Sequence, residues 1–136
     1  MYRRTFLAIS TATLLSAPVS AGEDLVTYEP GVIQSALDDG KTVFVDYFAP
    51  WCSTCRTQER RVQELRDENP EYDRNLFFVR VDWDTYRTHK VVTARAIPRR
   101  STLLVLRGKE ELGRIVAGTS KAEIKALLDA GLSPEG

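Results

Sequence analysis

The segment "FVDYFAPWCSTCRTQ", residues 44–58, holds both cysteines of the chain, Cys52 and Cys55, with two residues between them. Two thiols at that spacing fit reversible disulfide exchange, a structural staple, or half of a metal site. A cysteine in the first turn of a helix faces unpaired backbone N–H groups and the positive end of the helix dipole, both of which favour its thiolate. Cys55 follows one helical turn later, close enough to form a disulfide with Cys52 and on the apolar side of the helix. Exchange needs that asymmetry: an exposed thiolate attacks a partner's disulfide, and a shielded thiol then resolves the mixed intermediate. A zinc site takes about four ligands, whereas this chain offers two cysteines and one histidine, His89. A staple would close a loop of only a few residues, where the entropic gain is small. Redox exchange is therefore the leading reading. Copper held by Cys52, Cys55 and His89 and a non-catalytic binding or chaperone module stand as alternatives.

The elements that would position the pair are legible around it. "TVFVDYF", residues 42–48, is β-branched, aromatic and of strand length, which predicts a buried strand. From Cys52 to about Glu68 the pattern predicts a polar helix with Cys55, Val62 and Leu65 on a narrow apolar stripe, ended by "ENPEYDRN". Upstream, "PGVIQSALDDG" predicts a short helix with Pro30 in its first turn, Val32, Ile33, Ala36 and Leu37 on one face, and Gly40 stopping it. "LFFVRVDW", residues 76–83, is a second buried strand. Residues 84–100 carry five Lys or Arg against one Asp and predict a short helix followed by a loop. "STLLVL", residues 101–106, is a third strand, and "RGKEE" turns the chain into "LGRIVAG", residues 112–118. Ser120 and Glu123 form a capping box for a closing helix with Ile124, Leu127 and Leu128 on its apolar face and Gly131 after its end. Alternating strands and helices imply right-handed parallel crossovers, and the late hairpin adds an antiparallel edge. The expected fold class is α/β: a small mixed sheet covered by helices on both faces.

Length and composition agree with one such domain. The chain has 136 residues, 43% hydrophobic and 28% charged, enough for a single core. Lys plus Arg equals Asp plus Glu at 19 each, which gives no argument for nucleic acid or a membrane surface as partner. Residues 1–21, "MYRRTFLAISTATLLSAPVSA", have a basic start, an apolar stretch from Phe6 to Leu15 and small residues at the end, the layout of a secretory signal cleaved after Ala21. That apolar stretch is short and rich in Ser and Thr for a permanent anchor. "RRTFL" also resembles a twin-arginine export signal, and both the general and the twin-arginine routes stay open. Cleavage leaves residues 22–136 as the domain and removes Arg3 and Arg4 but no acid, giving 17 − 19 = −2. The expected location is the periplasm or outside the cell, where disulfides persist.

"VDYFAPWCSTC" resembles the strand and active-site motif of the thioredoxin family, and the likeness runs on through "VRVDWD" to "TLLVLRGKEELGRIVAGTSKAEIKALLDAGL". The resemblance implies that fold, with four or five strands, and a thiol–disulfide oxidoreductase without a cofactor, which the signal-like start would make an exported one. It implies Cys52 as nucleophile, Cys55 as resolving thiol and Asp46 as the buried acid that exchanges a proton with Cys55. Burial in an apolar strand would raise the Asp46 pKa toward neutrality; the bland alternative turns it to solvent. Arg80 stands where the family often has a lysine partner for this acid, and an arginine cannot give up its proton. Trp51 matches the aromatic residue before the first cysteine, a platform for substrate, with a plain core aromatic as the alternative. The family also places a cis-proline before the third strand, beside the bound substrate. Here "AIPRRSTLLVL" offers two fits: Pro98 follows an isoleucine as it often does in the family, while Thr102 directly before "LLVL" would put Ser101 at the proline position. With serine there, a cis peptide is costly. Pro98, Ser101 and Thr102 are thus the candidate substrate-contacting residues.

The dipeptide between the cysteines, Ser53-Thr54, is uncharged, unlike the histidine-containing pairs of strongly oxidising relatives. That favours a reductant acting on protein disulfides. In an oxidising compartment a reductant must itself be recharged, and the family resemblance implies a membrane electron donor for this; the expected state is a monomer. The basic residues Arg87, Lys90, Arg95, Arg99 and Arg100 either rim the site and steer acidic partners or form a solvated loop.

Overall fold

The computed structural model describes residues 25–134. The signal-like segment 1–21 lies outside them. The strand expected over 42–48 is β2, Thr42–Phe48, and its pattern decides the whole arrangement. All seven residues but Phe48 are buried, as befits a central strand covered on both faces. It pairs in parallel with β3, Leu76–Asp82, and antiparallel with β4, Thr102–Arg107. β4 continues antiparallel into β5, Glu110–Val116, with a register shift between Val105 and Leu106. A two-residue strand β1, Val26–Thr27, adds to the outer edge of β3, so the order is β1-β3-β2-β4-β5.

Strand alternation sorts the core into two layers. Val43, Val45 and Tyr47 of β2 join Val79, Val81, Leu104 and Leu106 on one face. They are covered by Ile33, Ala36 and Leu37 of α1, Val32–Asp38, and by Val92 of α5, Lys90–Thr93. Phe44 points to the other face with Phe78, Leu103 and Val105. There it meets Val62 and Leu65 of α2, Ser53–Glu68, Tyr72 of α3, Glu71–Asn75, and Ile124, Leu127 and Leu128 of α6, Lys121–Leu132. Asp46 alternates with Val45 and Tyr47, so it lies on the Phe44 side, the face that α2 covers.

Several expectations change at element ends. Pro30 lies in the turn before α1, and Gly31, with φ of 93°, is the residue that turns the chain into the helix. "ENPEYDRN" ends α2 and also folds into α3 behind Pro70; Tyr72 is buried there and its hydroxyl donates to Asp129 Oδ1 at 2.5 Å. β3 stops at Asp82 because its carboxylate accepts from the Asp84 N–H, capping α4, Trp83–Tyr86. Gly131 lies inside α6, not after its end. A Cβ at this position would stand 2.5 Å from Leu76 Cδ2, so the missing side chain serves close helix–sheet packing.

Candidate active site

Cys52 is the N-cap of α2: its backbone is extended and its Sγ accepts from the Cys55 N–H at 3.2 Å. The sulfur thus takes the place of a capping oxygen and satisfies one of the helix's free donors. Cys55 follows one turn on, and both cysteines are free. Sequence reasoning expected an exposed Cys52, but it is only 4% exposed, against 1% for Cys55. Ala49 and Phe48 pack around the pair. Surface exposure therefore barely distinguishes the two thiols; depth of burial and hydrogen bonding do.

Ser101 stands across from them. Its Oγ lies 3.2 Å from Cys52 Sγ and 3.1 Å from Cys55 Sγ. The residue is fully buried and held at a φ of 63°, a region a serine seldom visits. Two backbone links and one side chain hold it there. Its N–H donates to Tyr47 O at 2.7 Å, and its carbonyl accepts from Ala117 N–H at 2.8 Å. Gln58 Nε2 donates to that same carbonyl and to Gly118 O, both at 2.9 Å. Gln58 is completely buried and three residues beyond Cys55 on the same helix face. That spacing was the available signal for it, obscured because a glutamine on a polar helix reads as solvent-facing.

The two thiols are driven apart electrostatically. Burial pushes the Cys52 thiol up, but hydrogen bonds from Cys55, Ser101, the Cys55 N–H and Arg100 outweigh it and bring the pKa down to about 7. Burial and the bond to Cys52 raise that of Cys55. Below the pair, Asp46 is 2% exposed and its Oδ1 has no hydrogen-bond partner. Burial, and next the charge of Glu59, raise its pKa to about 8, against the opposing pull of Arg80. Arg80 is the register partner of Asp46 on β3, yet its guanidinium pairs with Glu59 Oε1 at 3.1 Å and stacks 3.7 Å from the Phe48 ring centroid.

One ionisable thiol that caps a helix start, a second thiol held protonated one turn on, and a desolvated acid beneath make an exchange-competent dithiol. The thioredoxin family profile matches residues 26–130 of the chain. The chain belongs to the thioredoxin family. It is a thiol–disulfide oxidoreductase of that family. A thioredoxin of Aspergillus fumigatus is 30% identical over 112 residues, covering 81% of this chain and 95% of that protein. The thioredoxin-2 of Pyricularia oryzae is 32% identical over 98 residues, or 71% of this chain, but the match spans only 53% of that longer protein. Among solved structures, the Edwardsiella tarda protein Trxlp superposes with a TM-score of 0.68 at 28% identity, covering 77% of this chain and 98% of that one.

Within the thioredoxin frame, the segment before β4 separates the candidates for the position facing the cysteines. Ser101 is the residue against both sulfurs. Pro98 is exposed, three residues upstream, and no peptide bond among the described residues is cis. Thr102, expected to touch substrate, is fully buried, and its Oγ1 donates to Arg99 O at 2.7 Å; its hydroxyl closes the turn that carries Ser101. Trp51 is not a core aromatic: it is 57% exposed, and its Nε1 donates to Asp84 Oδ2 at 2.7 Å. Of the basic cluster, Arg100 reaches the site, stacked 4.1 Å from the Trp51 ring centroid and bonded to Cys52. His89 does not join the cysteines; its Nδ1 accepts from Val91 N–H at 3.2 Å, and it packs beside Tyr28 and Tyr86. Among the described residues, no group of three or more His, Cys, Asp or Glu is placed to hold a metal, so the copper reading lacks its third ligand.

Ser101 gives a direct test of this electrostatic account. Replacing a hydrogen-bond donor to a thiolate by an alkyl group removes roughly 1–2 kcal/mol of stabilisation, or about one pKa unit. Ser101→Ala is expected to move the Cys52 midpoint upward by about that much, read from the pH dependence of its alkylation rate. An unmoved midpoint would mean that the hydroxyl does not stabilise the thiolate.

Proposed function

We propose that this chain is an exported reductant of protein disulfides, working as a monomer and recharged by an electron donor in the membrane. The observation that carries the direction is the Cys52 thiol near pKa 7 beside the raised Cys55. Strongly oxidising dithiols ionise their nucleophile down to about pH 3.5, because their reduced form is over-stabilised. A thiol half ionised at neutral pH is reactive without that bias, and Ser53-Thr54 adds no positive charge to create it.

Each group has one task in this reading. The Cys52 thiolate attacks the partner's S–S bond, the partner's first sulfur leaves as thiolate, and a mixed disulfide forms. Cys55 gives its proton to the Asp46 carboxylate and attacks Cys52 Sγ, releasing the second partner thiolate and closing the Cys52–Cys55 disulfide. Ser101 bridges the two sulfurs of the reduced pair through one hydroxyl. Trp51, with Arg100 across its ring, is the exposed platform next to Cys52 on which a substrate chain lies.

Support for export comes from the signal-like residues 1–21, and a reductant outside the cytoplasm needs an external supply of electrons. Among the described residues, no helix is long and apolar enough to cross a membrane. The reduction potential of the Cys52–Cys55 couple, equilibrated against glutathione, tests the direction. A value below about −220 mV is expected, and one above about −150 mV would make the protein an oxidant.

A further inference from the structure

Asp46 poses a problem of access. The exchange reading above, on which this inference rests, gives it a proton at each turnover, yet it is 2% exposed. A cavity of about 410 Å³ connects its carboxyl to the surface beside α2. That volume holds several waters. The charged groups facing Asp46 there are Arg56, Glu59, Arg60 and Arg66 of α2 and Arg80 of β3, with Cys52 at the start of α2; its β4 neighbour, Leu103, is uncharged. Four of these are arginines, which keep their protons at any relevant pH. Apart from Asp46 itself, Glu59 is, among the described residues, the single group lining this cavity that takes up and releases a proton. Its side chain is 32% exposed, held in place by Arg80, and it also borders a second opening lined by Asp82 and Tyr86. Asp46 Oδ1 and Arg80 Nε are both buried without a hydrogen-bond partner and both residues line the first cavity, so polar atoms suited to ordered water face it from both strands.

We propose that Glu59 is a proton-transferring positioning residue: through water in this cavity it moves protons between the buried Asp46 carboxyl and solvent during disulfide exchange. As the Cys55 S–H bond breaks, its proton goes to Asp46 and its sulfur electron pair forms the bond to Cys52 Sγ. The mixed S–S bond breaks with its electron pair on the partner's sulfur. The proton on Asp46 then passes through water to the Glu59 carboxylate and out, which replenishes the ionised fraction of Asp46 that accepts the next Cys55 proton. The only oxidant is the partner's disulfide.

The test measures the pH dependence of insulin disulfide reduction by the full chain and three variants. Glu59→Gln is expected to slow turnover by roughly three- to tenfold at neutral pH, with the rate restored by added imidazole buffer. It also removes a negative charge facing Asp46, so the inflection moves to lower pH by roughly half a unit. Arg80→Gln breaks the same ion pair but keeps the carboxylate; removing a positive charge moves the inflection to higher pH, without buffer rescue. If the pair is only structural, both variants lose stability and neither develops buffer dependence, which overturns the proposal. An unchanged Glu59→Gln profile does the same. Asp46→Asn separates the two levels: if it leaves the profile unmoved, the Asp46 reading itself fails, and if it alone moves the profile, Glu59 has no part.

Discussion

Cys52→Ser is expected to abolish disulfide reduction, lowering the rate by about a thousandfold or more, while Cys55→Ser stops the reaction halfway. The difference follows from where each sulfur acts. Cys52, with a pKa of about 7, is half thiolate at neutral pH; a serine hydroxyl is essentially un-ionised there and forms no stable S–O link with a partner. Cys55 is not needed for the first attack. Without it the mixed disulfide has no internal resolving thiol, so the partner stays attached. Insulin reduction measures the first effect, and mass spectrometry of the non-reduced mixture measures the second. Should Cys55→Ser react as readily through Cys55's neighbour and release its partner at the wild-type rate, the assignment of resolving thiol is wrong. Should Cys52→Ser stay active, the nucleophile has been misplaced.

Asp46→Asn is expected to stabilise the protein while impairing it. In the folded state Asp46 holds its proton to about pH 8, against an ordinary carboxyl value of 3.8. Between those limits the folded chain binds one more proton than the unfolded chain, so stability falls as pH rises, by about 1.4 kcal/mol per unit. This contribution is fully present below the unfolded pKa and is lost by the time pH passes the folded one. At pH 7 the cumulative cost is on the order of 4 kcal/mol. An asparagine escapes it but still buries an amide, which leaves an expected net gain on the order of 2–3 kcal/mol at pH 7. Urea unfolding at pH 5, 7 and 8.5 checks this: the wild-type decline should be absent in the variant. The same substitution removes the proton acceptor for Cys55, so resolution of the mixed disulfide slows. A variant no more stable than wild type at pH 8.5 would mean that Asp46 is not desolvated.

Both results concern groups whose types were readable in the chain but whose surroundings were not. "TVFVDYF" is uniform enough that β2 emerges with its expected bounds, and its alternation already sets Asp46 on the face opposite Val45 and Tyr47. The spacing of Cys55, Val62 and Leu65 places α2, and the strands and closing helix follow from similar local patterns. β1 left no such trace. Its two residues are exposed, and it exists because Val26 and Thr27 find backbone partners in Val79 and Arg80. Gly131 misleads in the other direction: a glycine near a helix end signals a stop, but here it answers a packing demand made by Leu76, more than fifty residues away. Ser101 was one of two equal fits because a stretch carrying both Pro98 and Thr102 can be aligned either way.

Local order along the chain was enough to establish the dithiol, the strand that leads into it, the helix it caps and the acid in that strand, since each depends on residues a few positions apart. Which surfaces close over the sulfurs depended on contacts between distant segments. Ser101 meets the cysteines because β4 pairs with β2, Gln58 reaches Ser101 only once α2 lies on that face, and Glu59 and Arg80 come together across a helix and a strand. Burial, and with it every shifted ionisation in the site, is a property of that three-dimensional packing: desolvation depends on which atoms displace water, and neighbours in sequence supply only a few of them.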